Sequence, residues 1–193
     1  MDIVLATGNK HKVKEIKKIL EPLGCRFFTL EDLPVSISVK EDGKTFRENA
    51  YKKGVTVAKA GGLTALADDS GLEVDFLAGA PGIYSARYAH GRATDAENNA
   101  RLLVEMEGAK SRSARFRCVI ALVDPRGGVR YAEGTCEGVI AERLSGNAGF
   151  GYDPLFIPAG YDKTMSELGP KIKNRISHRA QALSYLSRLI FDG

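Results

Sequence analysis

Two adjacent carboxylates, Asp68 and Asp69, follow the apolar run Leu63-Thr64-Ala65-Leu66-Ala67 and lead into Ser70-Gly71. A strand that delivers acids at its C-terminal end is a common place for a metal ligand or a general base. Side chains alternate across a strand, so the two acids face opposite ways and do different jobs. A second acidic turn, Lys40-Glu41-Asp42-Gly43, precedes a helix-like stretch. Glu41 offers another carboxylate to a shared Mg²⁺, an ion that takes oxygen ligands, often one or two carboxylates plus phosphates. The plainer alternatives are a solvated Asp-Ser-Gly turn for the first acids and helix-dipole compensation for the second.

Thr7-Gly8-Asn9-Lys10-His11-Lys12 sits between the apolar run Ile3-Val4-Leu5-Ala6 and a helical pattern of Val13, Ile16, Ile19 and Leu20. The start of a helix has unpaired N–H groups and a positive dipole end, and both favour anions. Gly8 lets a ligand approach the backbone, while Asn9, Lys10 and Lys12 add donors and charge. The segment therefore reads as a phosphate cradle, although it has neither the P-loop nor the G-x-G-x-x-G spacing. Phe150-Gly151-Tyr152-Asp153-Pro154 follows Ser145-Gly146-Asn147-Ala148-Gly149. Aromatics between glycines suit a loop lying against a flat base, with Asp153 able to accept from a ring N–H; a core turn is the alternative. Ser177-His178-Arg179 begins the last helix with two cations at the wrong end of the dipole. A local conflict of this kind marks functional sites. Lys173 lies just upstream. Ala80-Pro81-Gly82-Ile83-Tyr84-Ser85-Ala86-Arg87-Tyr88 forms a Pro/Gly turn that shapes a wall.

Strands are expected at residues 2–6, 25–29, 35–39, 63–67 and 72–74, and a long hairpin over 114–123 and 128–140. Helices are expected at 11–20, 45–60, 94–106 and 177–191, with capping-box spacing at Thr45/Glu48 and Thr94/Glu97. Alternation of strands and helices together with a hairpin predicts α/β layers around a mixed sheet, in a single domain over 1–193. The chain has 193 residues, 44% hydrophobic, 27% charged and net charge +4. That mild excess suits an anionic small molecule and is too small and too dispersed to argue for duplex nucleic acid, so no nucleic-acid partner is expected. No apolar run reaches a membrane span, and no signal pattern opens the sequence. Cys25, Cys118 and Cys136 are widely spaced, which disfavours structural zinc and fits a reducing cytoplasm.

Six motifs occur in order: Thr7-Gly8-Asn9-x-x-Lys12, Thr45-Phe46-x-Glu48-Asn49-Ala50, Ala67-Asp68-Asp69-Ser70-Gly71-Leu72, the 80–88 stretch, Gly149-Phe150-Gly151-Tyr152-Asp153-Pro154 and Ile176-Ser177-His178-Arg179-Ala180. With them the chain closely resembles the inosine triphosphate pyrophosphatase family over nearly its whole length. The resemblance implies an elongated mixed sheet, two lobes with an active-site cleft between them, and a homodimer. It implies Mg²⁺-dependent hydrolysis of ITP, dITP and XTP to the monophosphate and pyrophosphate, which cleanses the nucleotide pool. By similarity Asp69 is the proton acceptor and a metal ligand, with Glu41 the other metal carboxylate. Thr7, Gly8, Asn9, Lys10, His11 and Lys12 match the triphosphate segment. Ser70, Phe150, Gly151, Tyr152, Asp153, Lys173, His178 and Arg179 match substrate contacts, with Lys171 a rival to Lys173. Arg179 or His178 facing the 6-oxo group of the base, and an acceptor facing N1–H, would leave ATP mismatched. The alternatives are a pyrophosphatase for other modified nucleotides and a non-catalytic nucleotide-binding module. The paired acidic loops disfavour the module, because carboxylates repel phosphates unless a metal intervenes.

Overall fold

Ile3, Val4 and Leu5 are buried on β1 (Asp2–Leu5), the unbroken apolar pattern of a strand covered on both faces. In the computed structural model, which describes residues 1–191, Asn9 then caps α1 (Lys10–Leu20). Its Oδ1 accepts from the N–H groups of His11 at 2.9 Å and Lys12 at 3.2 Å. The chain returns in β2 (Arg26–Phe28), parallel to β1 with Asp2 opposite Arg26. After α2 (Phe46–Gly61) comes β3 (Thr64–Val74), parallel to β1 on its other side with Leu5 opposite Leu66. The strand order therefore reverses at β1, and in α/β sheets ligands bind beyond the carboxyl ends of strands at such a switch point.

The remaining elements are α3 (Asp95–Glu105), β4 (Ser113–Val123), β5 (Val129–Ile140), β6 (Phe156–Pro158), α4 (Met165–Ile176) and α5 (His178–Phe191). The six strands form one sheet in the order β2-β1-β3-β4-β5-β6. Turn 124–128 joins β4 to β5, a connection short enough only for antiparallel neighbours. β6 runs antiparallel to β5, with Ile140 opposite Phe156, so the sheet is mixed. The chain divides into two compact units. Unit 1 comprises Met1–Asp69, Cys118–Gly134 and Arg179–Gly193, and its core holds Ile3, Leu5, Ile16, Leu66, Ile120 and Leu183. Unit 2 comprises Ser70–Arg117 and Thr135–His178, with Leu72, Leu102, Met106, Phe116, Leu155 and Phe156 in its core. No helix among the described residues is long and apolar enough to cross a membrane.

Three expectations need correction. Residues 35–39 form no strand; Val35 is exposed and the segment joins no ladder of the sheet. Residues 63–67 and 72–74 are not separate strands, because β3 runs straight through Asp68-Asp69-Ser70-Gly71. Turn-forming composition gave way there to a central position, with sheet neighbours on both sides. The third is α4, a helix where none was expected. Its capping box of Thr164 and Glu167 was visible in the sequence, but Gly169, at φ 74°, and Pro170 interrupt the pattern.

Candidate active site

Because Asp68 and Asp69 lie within a strand, they face opposite sides of the sheet and meet different partners. The Asp68 side chain is fully buried in unit 1. Lys12 Nζ lies 3.0 Å from its Oδ1, while Arg179 Nη2 and Nε donate to Oδ2 at 2.9 and 3.2 Å. Burial alone would raise the Asp68 carboxyl; Lys12, Arg179 and Lys53 overcome that and hold it well below the usual carboxylate range. Arg179 is 1% exposed, and its Nη1 also donates to Glu15 at 2.5 Å. Two carboxylates thus compensate the cation that α5 carries in its first turn. The misplaced charge noticed in the sequence is half of a buried ion cluster.

Asp69 enters a second cluster, also in unit 1. Lys53 Nζ bridges Asp69 Oδ1 at 2.8 Å and Glu41 Oε2 at 3.1 Å. Asn49 Nδ2 donates to Asp69 Oδ2 at 3.2 Å, and its Oδ1 accepts from the Gly43 N–H at 2.8 Å. Asn49 thereby ties the turn that carries Glu41 to β3. Burial, opposed by Lys53 and reinforced by the charge of Glu41, pushes the Asp69 carboxyl up to about 6. Burial works the same way on Glu41, but Lys53 outweighs it and holds that carboxyl below its ordinary range. Lys53 itself stays charged despite burial because Asp69, Asp68 and Glu41 favour the ammonium. The next residue sets its depth: a Cβ on Gly54 would come within 2.7 Å of Val123 Cγ2, so α2 lies close against β4.

The sequence reading missed Lys53, Asn49 and Glu15. A signal for Lys53 was present, since it lies on the stripe of Phe46, Ala50 and Val57 that α2 buries. A lysine on the apolar side of a helix needs carboxylates. The donor set here also fits Mg²⁺: two carboxylates on separate segments already share one cation.

The 7–12 segment leaves the carboxyl end of β1, at the switch point. Lys10 and His11 are exposed, Thr7 is half-buried, and Thr7 Oγ1 accepts from the Asn9 N–H at 3.2 Å. A Cβ on Gly8 would meet nothing within 4 Å, and its φ is outside the left-handed range. The fold therefore does not require glycine at this position. Gly8→Ala is expected to keep the wild-type Tm while raising KM for a triphosphate about tenfold. An unchanged KM would remove Gly8 from the phosphate site.

Unit 2 gathers the aromatic loop. Asp153 Oδ2 accepts from the Phe150 N–H at 2.9 Å and from Lys173 Nζ at 2.5 Å. Lys173 Nζ also lies 4.1 Å from the centroid of the half-buried Phe150 ring. Lys173 is buried in this cluster whereas Lys171 is exposed. Tyr152 is buried, and its hydroxyl donates to the Ser85 carbonyl at 2.8 Å. His178 stacks on Phe116 with centroids 4.8 Å apart and planes at 12°. Ser70 follows Asp69 on β3 and is half-buried.

The buried carboxylates and the capped helix start beyond β1 in unit 1 belong to the class of α/β switch-point sites that suit anionic ligands. The Ham1 family model matches residues 3–189, and the chain belongs to this family. It is 52% identical over 185 residues to a dITP/XTP pyrophosphatase of Desulforamulus reducens, covering 95% of this chain and 92% of that protein. A dITP/XTP pyrophosphatase of Bacillus subtilis is 47% identical over 191 residues, covering 98% and 96%. Among solved structures, a HAM1 protein from Coxiella burnetii superposes with a TM-score of 0.92 at 42% identity, covering all of both chains.

Proposed function

We propose that the protein is a Mg²⁺-dependent pyrophosphohydrolase of non-canonical purine nucleoside triphosphates. ITP, dITP and XTP would be cleaved to the nucleoside monophosphate and pyrophosphate. The carrying observation is the Glu41–Lys53–Asp69 cluster, a pair of carboxylates poised on a shared cation. The names of the relatives support the substrate class. In this reading the chain acts as one catalytic domain, as a homodimer, in the cytoplasm and without nucleic acid. The family resemblance supports the dimer, and three cysteines that form no disulfide suit a reducing compartment.

Glu41 and Asp69 would hold Mg²⁺, which when bound neutralises phosphate charge and polarises the phosphoryl oxygens. Asp69 takes a proton from the water that attacks the α-phosphorus. The bond from that phosphorus to the bridging oxygen breaks, and pyrophosphate leaves. Lys53 orients Asp69 and keeps further N–H donors for phosphate oxygens. Lys12, aimed by Asp68, does the same beside Thr7, Gly8, Asn9, Lys10 and His11. Phe150 supplies a stacking face for the base, with Asp153 and Lys173 bracing it. Ser70, Gly151 and Tyr152 complete the binding surface. Arg179 acts through Asp68, since three of its nitrogens are engaged by carboxylates, so recognition of the 6-oxo group falls to His178.

A panel of nucleoside triphosphates with Mg²⁺, scored for pyrophosphate and orthophosphate, tests this reading. Pyrophosphate from ITP, dITP and XTP is expected to exceed that from ATP by about 10⁴ in kcat/KM, because adenine leaves buried polar groups mismatched. Orthophosphate as product, or equal turnover of ATP, would overturn the assignment. Binding without turnover would favour the non-catalytic module.

A further inference from the structure

Both polar atoms of the Gly151 backbone are taken by one helix. The N–H donates to Asp95 Oδ2 at 2.6 Å, and the carbonyl accepts from Asn99 Nδ2 at 2.9 Å. Asp95 and Asn99 are four positions apart on α3 and therefore lie on one face, one turn above the other. A carbonyl only accepts, so the nitrogen of the Asn99 amide must be the atom facing Gly151. The amide is otherwise poorly served: Asn99 is 3% exposed, and its Oδ1 has no hydrogen-bond partner among the described residues. A buried orphan acceptor is destabilising, and an apolar side chain of similar size would avoid it. The helix keeps an amide there at a cost to the fold. Asn98 offers the contrast. It accepts from the Ala89 N–H at 2.8 Å and donates to the Ala86 carbonyl at 3.3 Å, so both ends are used.

The clamp fixes the middle of the aromatic loop. On one side Phe150 is pinned through its N–H to Asp153, and on the other Tyr152 is pinned through its hydroxyl to Ser85. We infer that Asp95 and Asn99 are positioning residues for base selection: they set the pose of Phe150-Gly151-Tyr152 and withdraw the Gly151 N–H and carbonyl from any base edge. This rests on the proposed pyrophosphatase reading. Base discrimination then comes from the Phe150 face and from side chains, with Gly151 as a fixed pivot.

The decisive variant is Asn99→Asp, nearly isosteric, which sets a carboxylate oxygen against the Gly151 carbonyl. Asp95→Ala removes the other jaw, and Asp95→Asn retains an oxygen that can accept. KM and kcat for ITP and ATP are measured with Tm, alongside inhibition by inorganic tripolyphosphate, which has phosphates and no base. Asn99→Asp and Asp95→Ala are each expected to raise KM for ITP about tenfold and to narrow the ITP-over-ATP preference similarly. Tripolyphosphate inhibition stays unchanged, and Asp95→Asn remains near wild type. Should Asn99→Asp fail to fold, Asp95→Ala carries the same expectation. An unmoved KM and preference in a folded variant overturns the clamp alone, as does an equal loss of tripolyphosphate binding, the signature of general disruption. Wild-type protein inactive on every triphosphate overturns the pyrophosphatase reading and this inference with it.

Discussion

Asp69→Asn is expected to fold normally and to lose about 10² or more in kcat on ITP. The amide keeps the shape of the side chain and an oxygen that can accept from Lys53. It loses the negative charge and the ability to take a proton from water. Pyrophosphate release at saturating ITP, compared with Tm and far-ultraviolet circular dichroism, separates the two effects. Near-normal turnover in a folded variant would move the general base to another residue.

The neighbouring position is expected to behave in the opposite sense. Asp68→Ala leaves Arg179, 1% exposed, and Lys12 without their shared carboxylate. Removing one partner of a buried ion cluster costs about 3–5 kcal/mol. For a chain of this length that corresponds to a fall of about 6–20 °C in Tm. The sign of the pH dependence follows from the direction of the shift. The folded Asp68 carboxyl lies below its unfolded value, so its contribution is full above the unfolded pKa of about 3.9 and is lost as pH falls further. The gap in stability between wild type and Asp68→Ala should therefore stay constant near neutrality and close only in strong acid. Equal Tm values at pH 7 would show that the cluster is not what holds α5 in place.

Which parts of this were legible in the sequence follows from how local each signal is. The start of α1, both ends of α2 and the capping box of α3 rest on neighbouring residues, and each appears within a residue or two of its expected place. Opposite orientation of Asp68 and Asp69 followed from strand parity and needed no tertiary information. What escaped was long-range. The Asp68 cluster joins residues 111 apart in the chain, so the sequence offered only an unexplained cation at the start of α5. Lys53 was concealed in the opposite way, inside a helix whose pattern looked complete without it. The grip of Asp95 and Asn99 on Gly151, 56 and 52 positions away, was hidden as well, because an aspartate in a first turn already has a sufficient local reason to be there.

The uninterrupted course of β3 has a consequence for insertions and deletions. Its register is anchored where Leu5 faces Leu66, and Asp69 follows three positions later. Inserting or deleting one residue between those points would invert the parity of everything downstream. Asp69 would turn to Lys12 and Arg179, and Asp68 would turn to Lys53. A change of one residue in length inside this strand is therefore expected to cost far more than the same change in a surface loop.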